Sequence, residues 1–141
     1  MTLVVDGSVA LKWFVAEQGA TQASALLAGL DALIAPDLVL AEVINAAWRA
    51  VRAGTMLPVQ QDRIAARLAA AFDEVVPLGP LAPRAAVLSR QLDHPAHDCF
   101  YLALAEARSA RLVTADRRLL GAMSGTEWAR LTANLSSLPS A

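Results

Sequence analysis

One cysteine, one lysine and one tyrosine stand in a chain of 141 residues, and each scarcity excludes something. The lone Cys99 forbids an internal disulfide, and its Ala- and Leu-rich neighbours predict a buried, unreactive thiol rather than a nucleophile. Twelve basic residues against thirteen acidic ones leave a net charge of −1 and a pI near 6.1, which argues against broad, sequence-independent contact with nucleic acid. No G-x-G-x-x-G and no G-x-x-x-x-G-K-[ST] occurs, so nucleotide-cofactor loops are excluded. No apolar run approaches the roughly 18 residues of a membrane span. The amino terminus carries no basic n-region and meets Asp6 almost at once, so a secretory signal is not expected and the cytoplasm is the expected compartment.

What is present is apolar: 56% of the residues are hydrophobic and the mean hydropathy is +0.44. A chain of this length can bury about two-thirds of its unfolded surface as one domain. We expect that domain to span residues 1–135, with 136–141 a flexible tail. Hydrophobic patterning predicts strands near 3–6, 32–35, 74–77, 111–114 and 127–131. Helices are predicted near 8–15, 20–29, 37–53, 58–72, 82–92, 97–109 and 117–122. Strands separated by helical patterns imply an α/β fold with a mainly parallel sheet covered on both faces.

Four acids stand out against this background. Leu3-Val4-Val5 ends at Asp6, and Gly7-Ser8 then opens a new segment with Ser8 as a candidate N-cap. Arg111-Leu112-Val113-Thr114 repeats the grammar and ends before Asp116. Acids just beyond the carboxyl ends of strands are expected to share the crevice where open α/β sheets bind ligands. Glu42 lies on an otherwise apolar helix whose polar residues, Glu42, Asn45, Arg49 and Arg52, fall in a stripe about 80° wide. Asp98 falls in the first turn of an Ala-rich helix that follows Pro95. For Asp98 and Asp116 the competing reading is a simple helix cap, worth about 1 kcal/mol each. Asp6 and Glu42 are harder to dismiss, because a carboxylate in apolar surroundings is costly unless compensated. The remaining acids, Glu17 and Asp73 among them, read as solvated surface or caps.

Four converging carboxylates repel one another, by about 4 kcal/mol per pair at 4 Å and an effective dielectric near 20, so they take up protons or recruit cations. Hard oxygen ligands select Mg²⁺ or Mn²⁺ over zinc, and the reaction class such a site suits is phosphodiester hydrolysis. His94 and His97 flank Pro95, which interrupts the helix that would align them, and no further Cys or His completes a zinc set.

The strings Val5-Asp6-Gly7-Ser8-Val9-Ala10-Leu11-Lys12-Trp13, Ala35-Pro36-Asp37 leading to Glu42-Val43-Ile44-Asn45-Ala46, Asp98-Cys99-Phe100-Tyr101-Leu102-Ala103-Leu104-Ala105 and Leu112-Val113-Thr114-Ala115-Asp116 resemble the PIN-domain ribonucleases, most closely the VapC-type toxins of toxin–antitoxin pairs. The resemblance spans nearly the whole chain. It implies a three-layer α/β/α sandwich and a Mg²⁺- or Mn²⁺-dependent endoribonuclease with Asp6, Glu42, Asp98 and Asp116 as catalytic and metal-binding carboxylates. It also implies supporting roles for Ser8, Asn45 and Thr114, a cognate antitoxin whose tail blocks the acidic pocket, and a homodimer.

Eleven of the twelve cations are Arg, which binds phosphate bidentately and stacks on bases; Arg49, Arg52, Arg117 and Arg118 are the candidates for RNA contact. Trp48, Val51, Met56, Leu57, Ile64 and Leu68, on and between two helices joined by Gly54 to Pro58, are candidates for an exposed apolar groove that takes a partner helix; the competing reading is that Trp48 and Ile64 complete the core. A phosphoacceptor receiver domain also gathers strand-end acids around Mg²⁺, but such domains carry a lysine late in the chain, and the only lysine here is Lys12. The other alternative is a non-catalytic PIN-like binding module, against which the stability cost of unused buried acids weighs.

Overall fold

Three β-branched or aliphatic runs, Thr2–Val5 (β1), Ala32–Pro36 (β2) and Arg111–Thr114 (β4), form the middle of the sheet in a computed structural model that describes residues 1–140. Glu74–Val76 (β3) and Thr132–Asn134 (β5) close its two edges. The order is β3-β2-β1-β4-β5 and every pairing is parallel, with Val4 opposite Ile34 on one side and Leu112 on the other. Val4, Val5, Leu112 and Val113 are fully buried, as strands covered on both faces must be. The fold is a three-layer α/β/α sandwich.

Seven α-helices cover the sheet among the described residues: Gly7–Ala10 (α1), Ala20–Ala28 (α2), Leu38–Arg52 (α3), Pro58–Arg67 (α4), Ala82–Leu92 (α5), Ala96–Ala107 (α6) and Arg117–Met123 (α7). The most buried is α6, which packs against β1, β2 and β4 and carries Cys99, Tyr101, Leu102, Ala103, Leu104 and Ala105 into the core; α5 lies against it. Each large aliphatic side chain sealed there contributes about 1.5–3 kcal/mol of burial free energy. Among the described residues, no helix is long and apolar enough to cross a membrane.

Several expectations are corrected. The last strand lies at 132–134 rather than 127–131, because Thr126 caps the preceding segment by accepting from Trp128 N (3.2 Å) and winds Glu127–Leu131 into a 3-10 turn. The helix expected over 8–15 splits into α1 and a 3-10 turn at Leu11–Trp13, and its N-cap is Asp6 rather than Ser8. The helix expected to reach residue 72 ends at Arg67, followed by a 3-10 turn at Ala69–Ala71. Of the expected groove, Met56, Ile64 and Leu68 belong to the core, Ile64 from the inner face of α4 and the other two from just outside its two ends. Val51 is half-buried, and only Trp48 and Leu57 are exposed, at 46% and 64%. In the expected tail, Leu138 packs against the core, while Ala141 lies outside the described residues.

Candidate active site

The strand order places β1 and β4 side by side while the chain leaves them in opposite directions, toward β2 and toward β5. That reversal opens a crevice at their carboxyl ends. Asp6 follows β1 there and Asp116 follows β4. A cleft of about 430 Å³ is lined by Asp6, Glu42, Asp98 and Asp116 together with Ser8, Lys12, Glu17, Arg49, His97 and Tyr101. All four singled-out acids therefore meet in one place.

Asp6 is 7% exposed and ties the two strand ends together. Its Oδ1 accepts from Ser8 Oγ (2.6 Å) and Val9 N (3.2 Å), and its Oδ2 accepts from Thr114 Oγ1. Each hydroxyl is itself held by backbone: Ser8 Oγ accepts from Ala115 N (3.1 Å) and Thr114 Oγ1 from Asp116 N (3.0 Å). Burial nevertheless dominates, and with the Glu42 charge it outweighs these donors and pushes the Asp6 carboxyl up to about 6. A fourth lone-pair site, on Oδ2, has no donor among the described residues.

Glu42 reaches the cleft from α3, and the first residue of α1 is the glycine that lets it do so. A Cβ on Gly7 would lie 3.3 Å from Glu42 Cβ. Tyr101 donates its hydroxyl to Glu42 Oε1. Burial raises the Glu42 carboxyl above its ordinary range against the opposing pull of Tyr101 and His97, with Asp98 adding to the rise. The same burial, with Glu42, Asp6 and Asp98 nearby, drives the Tyr101 phenol far upward, so it stays a donor.

Asp98 is gripped from one side. His94 Nε2 donates to Asp98 Oδ2 (2.6 Å), and His97 Nε2 lies 3.6 Å from Oδ1. Pro95 does not end a helix here: α5 stops at Leu92 with Asp93 as its left-handed cap (φ 48°), Pro95 is the N-cap that opens α6, and His94 meets Asp98 across that start at i,i+4 spacing. Asp116 caps α7, with Oδ1 accepting from Arg118 N (2.9 Å) and Leu119 N (3.4 Å). It is thus both a helix cap and part of the cleft wall. Asp6 is anchored through both oxygens, whereas in Glu42, Asp98 and Asp116 one oxygen is held by protein hydrogen-bond donors and bonding capacity remains on the other.

Other expected residues fall differently. Arg49 lines the cleft. Arg117 instead lines a neighbouring hollow of about 260 Å³ that also shares Lys12 and Ala115 with it. Arg52 stacks its guanidinium over Trp48, 5.5 Å from the ring centre, and Arg118 is exposed. Asn45 is exposed on α3 outside the cleft lining. Sequence reasoning missed four participants. Glu17, read as surface, lines the cleft and pairs with Lys12 (3.0 Å). His94 and His97 are weighed in the sequence only as zinc ligands and set aside, and Tyr101 is given no role, although the spacing of 97, 98 and 101 puts all three within about 100° of one helix.

Glu42, His97 and Asp98 each offer a ligand atom within 4.8 Å of the others. Ligands on opposite sides of a small divalent ion stand about 4 Å apart, so these donors fit one with minor side-chain adjustment.

A family model described as PIN domain matches residues 3–122 of the sequence. No curated protein matches it. Among solved structures, a toxin-antitoxin complex from Klebsiella pneumoniae superposes with a TM-score of 0.70 at 18% identity, covering 95% of this chain and 98% of that one. PAE2754 from Pyrobaculum aerophilum gives 0.68 at 20% identity, covering 97% and 92%. FitAcB from Neisseria gonorrhoeae gives 0.66 at 14% identity, covering 97% and 100%. At these identities the likeness is one of fold.

Proposed function

The chain belongs to the PIN domain family, and from that premise we propose that it is a divalent-metal-dependent endoribonuclease that serves as the toxin of a toxin–antitoxin pair. The observation that carries the reading is the meeting of Asp6, Glu42, Asp98 and Asp116 in one cleft at the reversal point of the sheet. Asp6, Glu42, Asp98 and Asp116 are the proposed ligands and water-orienting groups for Mg²⁺ or Mn²⁺. An ion held there would polarise a phosphate oxygen and lower the pKa of a bound water.

The chain's own residues have separable tasks in this reading. Ser8 and Thr114 fix the Asp6 carboxylate between the strand ends, His94 fixes Asp98, and Tyr101 fixes Glu42. Arg49 holds a phosphate of the RNA at the cleft edge, and Arg117 and Arg118 meet the strand beyond it. With net charge −1, affinity rests on these few guanidiniums rather than on a broad basic surface. RNA as substrate makes the cytoplasm the compartment of action.

The partner proposal follows the Klebsiella complex, which has this fold. Trp48, Leu57 and Val59 leave apolar surface exposed around the α3–α4 junction, and we assign it to an amphipathic helix of a cognate antitoxin. A homodimer completes the proposed assembly. The test is cleavage of single-stranded RNA with Mg²⁺ or Mn²⁺. Activity should vanish in excess EDTA and in Asp98→Asn while the circular dichroism spectrum is unchanged. Cleavage that survives either treatment overturns the reading.

A further inference from the structure

We propose that His97 is itself a metal ligand of this cleft and that its nitrogen biases the site toward Mn²⁺ over Mg²⁺. The inference rests on the metal-dependent reading above and deepens it by naming the ion.

Neighbouring residues on a helix normally diverge by about 100°. In the first turn of α6, however, His97 Nε2 comes to 3.6 Å from Asp98 Oδ1. That distance is too long for a hydrogen bond, so the two groups face a common space without consuming each other's bonding capacity. Glu42 closes the same space, its donor atom within 4.8 Å of both. His94 and His97 are not equivalent. The His94 side chain is 7% exposed and is bonded to Asp98 Oδ2, whereas that of His97 is 57% exposed and lines the cleft. His94 thus orients the carboxylate, while His97 keeps a ring nitrogen open to the cleft. An imidazole in an otherwise carboxylate set changes which ion is favoured: Mg²⁺ holds to oxygen ligands and water, whereas Mn²⁺, although it suits carboxylates too, is a first-row ion that tolerates a nitrogen ligand better than Mg²⁺ does.

The two histidines should therefore fail differently when removed. Titration calorimetry of the full chain with MnCl₂ and with MgCl₂ should show His97→Ala losing at least about tenfold in Mn²⁺ affinity, with Mg²⁺ affinity changed less than about twofold. His97→Gln should behave likewise. His94→Ala, which acts only through Asp98, should weaken both ions together, by about 10- to 100-fold. Electron spin-echo modulation of bound Mn²⁺ should show coupling to a directly bound nitrogen in the wild type and in His94→Ala, but none in His97→Ala. An unchanged Mn²⁺-to-Mg²⁺ affinity ratio in His97→Ala, or no nitrogen coupling in the wild type, overturns the His97 assignment and leaves the nuclease reading standing. A wild-type chain that binds neither ion overturns both.

Discussion

At the scale of single residues, Asp6 sets the pH behaviour. Its folded carboxyl titrates at about 6 against 3.8 in the open chain, so the folded state holds the proton more tightly between those values. Stability without metal therefore falls as pH rises from about 4 to about 6 and stays low above, a cost of about 3 kcal/mol. Asp6→Asn should escape most of that cost: in EDTA its melting temperature should exceed that of the wild type at pH 8, with the difference shrinking toward zero at pH 4. A constant difference across that range argues against a strained Asp6. Metal affinity should move the opposite way, rising through pH 6 as the proton leaves. Tyr101→Phe removes a donor that holds Glu42 down, so the acidic limb of the pH–rate profile should shift to higher pH; an unmoved limb denies Tyr101 that role. The four acids were legible because a carboxylate inside an apolar run is an anomaly visible without coordinates. Tyr101 was not, since an aromatic on an Ala/Leu helix reads as ordinary core. His94 is set aside in the sequence because Pro95 reads as a break between it and Asp98, whereas Pro95 is the N-cap of α6 and leaves the i,i+4 pair in contact.

At the scale of elements, the sheet's middle was easy to read and its edges were not. β1, β2 and β4 are aliphatic runs bounded by polar turns, whereas β5 is the three residues Thr-Ala-Asn, recognisable only through pairing with β4. The aliphatic and aromatic content just upstream drew the expectation there, and the Thr126 cap decided otherwise. Helical period likewise told which residues of α3 and α4 share a face, not which face turns outward. Hence Ile64, 3% exposed, was grouped with Trp48, 46% exposed. The two now separate experimentally. Trp48→Glu should change unfolding free energy by less than about 1 kcal/mol, beyond loss of the Arg52 stack, and should abolish binding of the antitoxin helix. Ile64→Glu should lose several kcal/mol by burying a charge, enough to leave the protein largely unfolded at 37 °C. Thermal unfolding of both variants checks the assignment, and a collapsed Trp48→Glu removes it.

At the scale of the whole molecule, the reversal of strand order fixes where the cleft lies, and the near-neutral charge limits how the proposed RNA substrate can be held. Few cations reach that mouth, and Lys12 is already paired with Glu17. Binding of single-stranded RNA to the Asp98→Asn protein should therefore depend weakly on salt, with a log–log slope of about −1 to −2, since each phosphate contact contributes about −0.7. Adding Arg49→Gln should flatten it by about one such contact; a slope steeper than about −4 in the Asp98→Asn protein would place RNA on a wide basic surface instead. The sulfur of Cys99 adds a clock to this assembly. It is fully buried, it follows Asp98 directly in α6, and burial raises its thiol to about 11. A thiol-reactive aromatic disulfide reaches it only when this helix parts from the sheet, so at reagent concentrations where reaction outpaces reclosing the rate of colour release is the rate of those openings. An ion that ties Asp98 to Glu42 would make the openings rarer. A silent atom in the core would thereby time, without any label added to the chain, how long the acids in front of it stay closed.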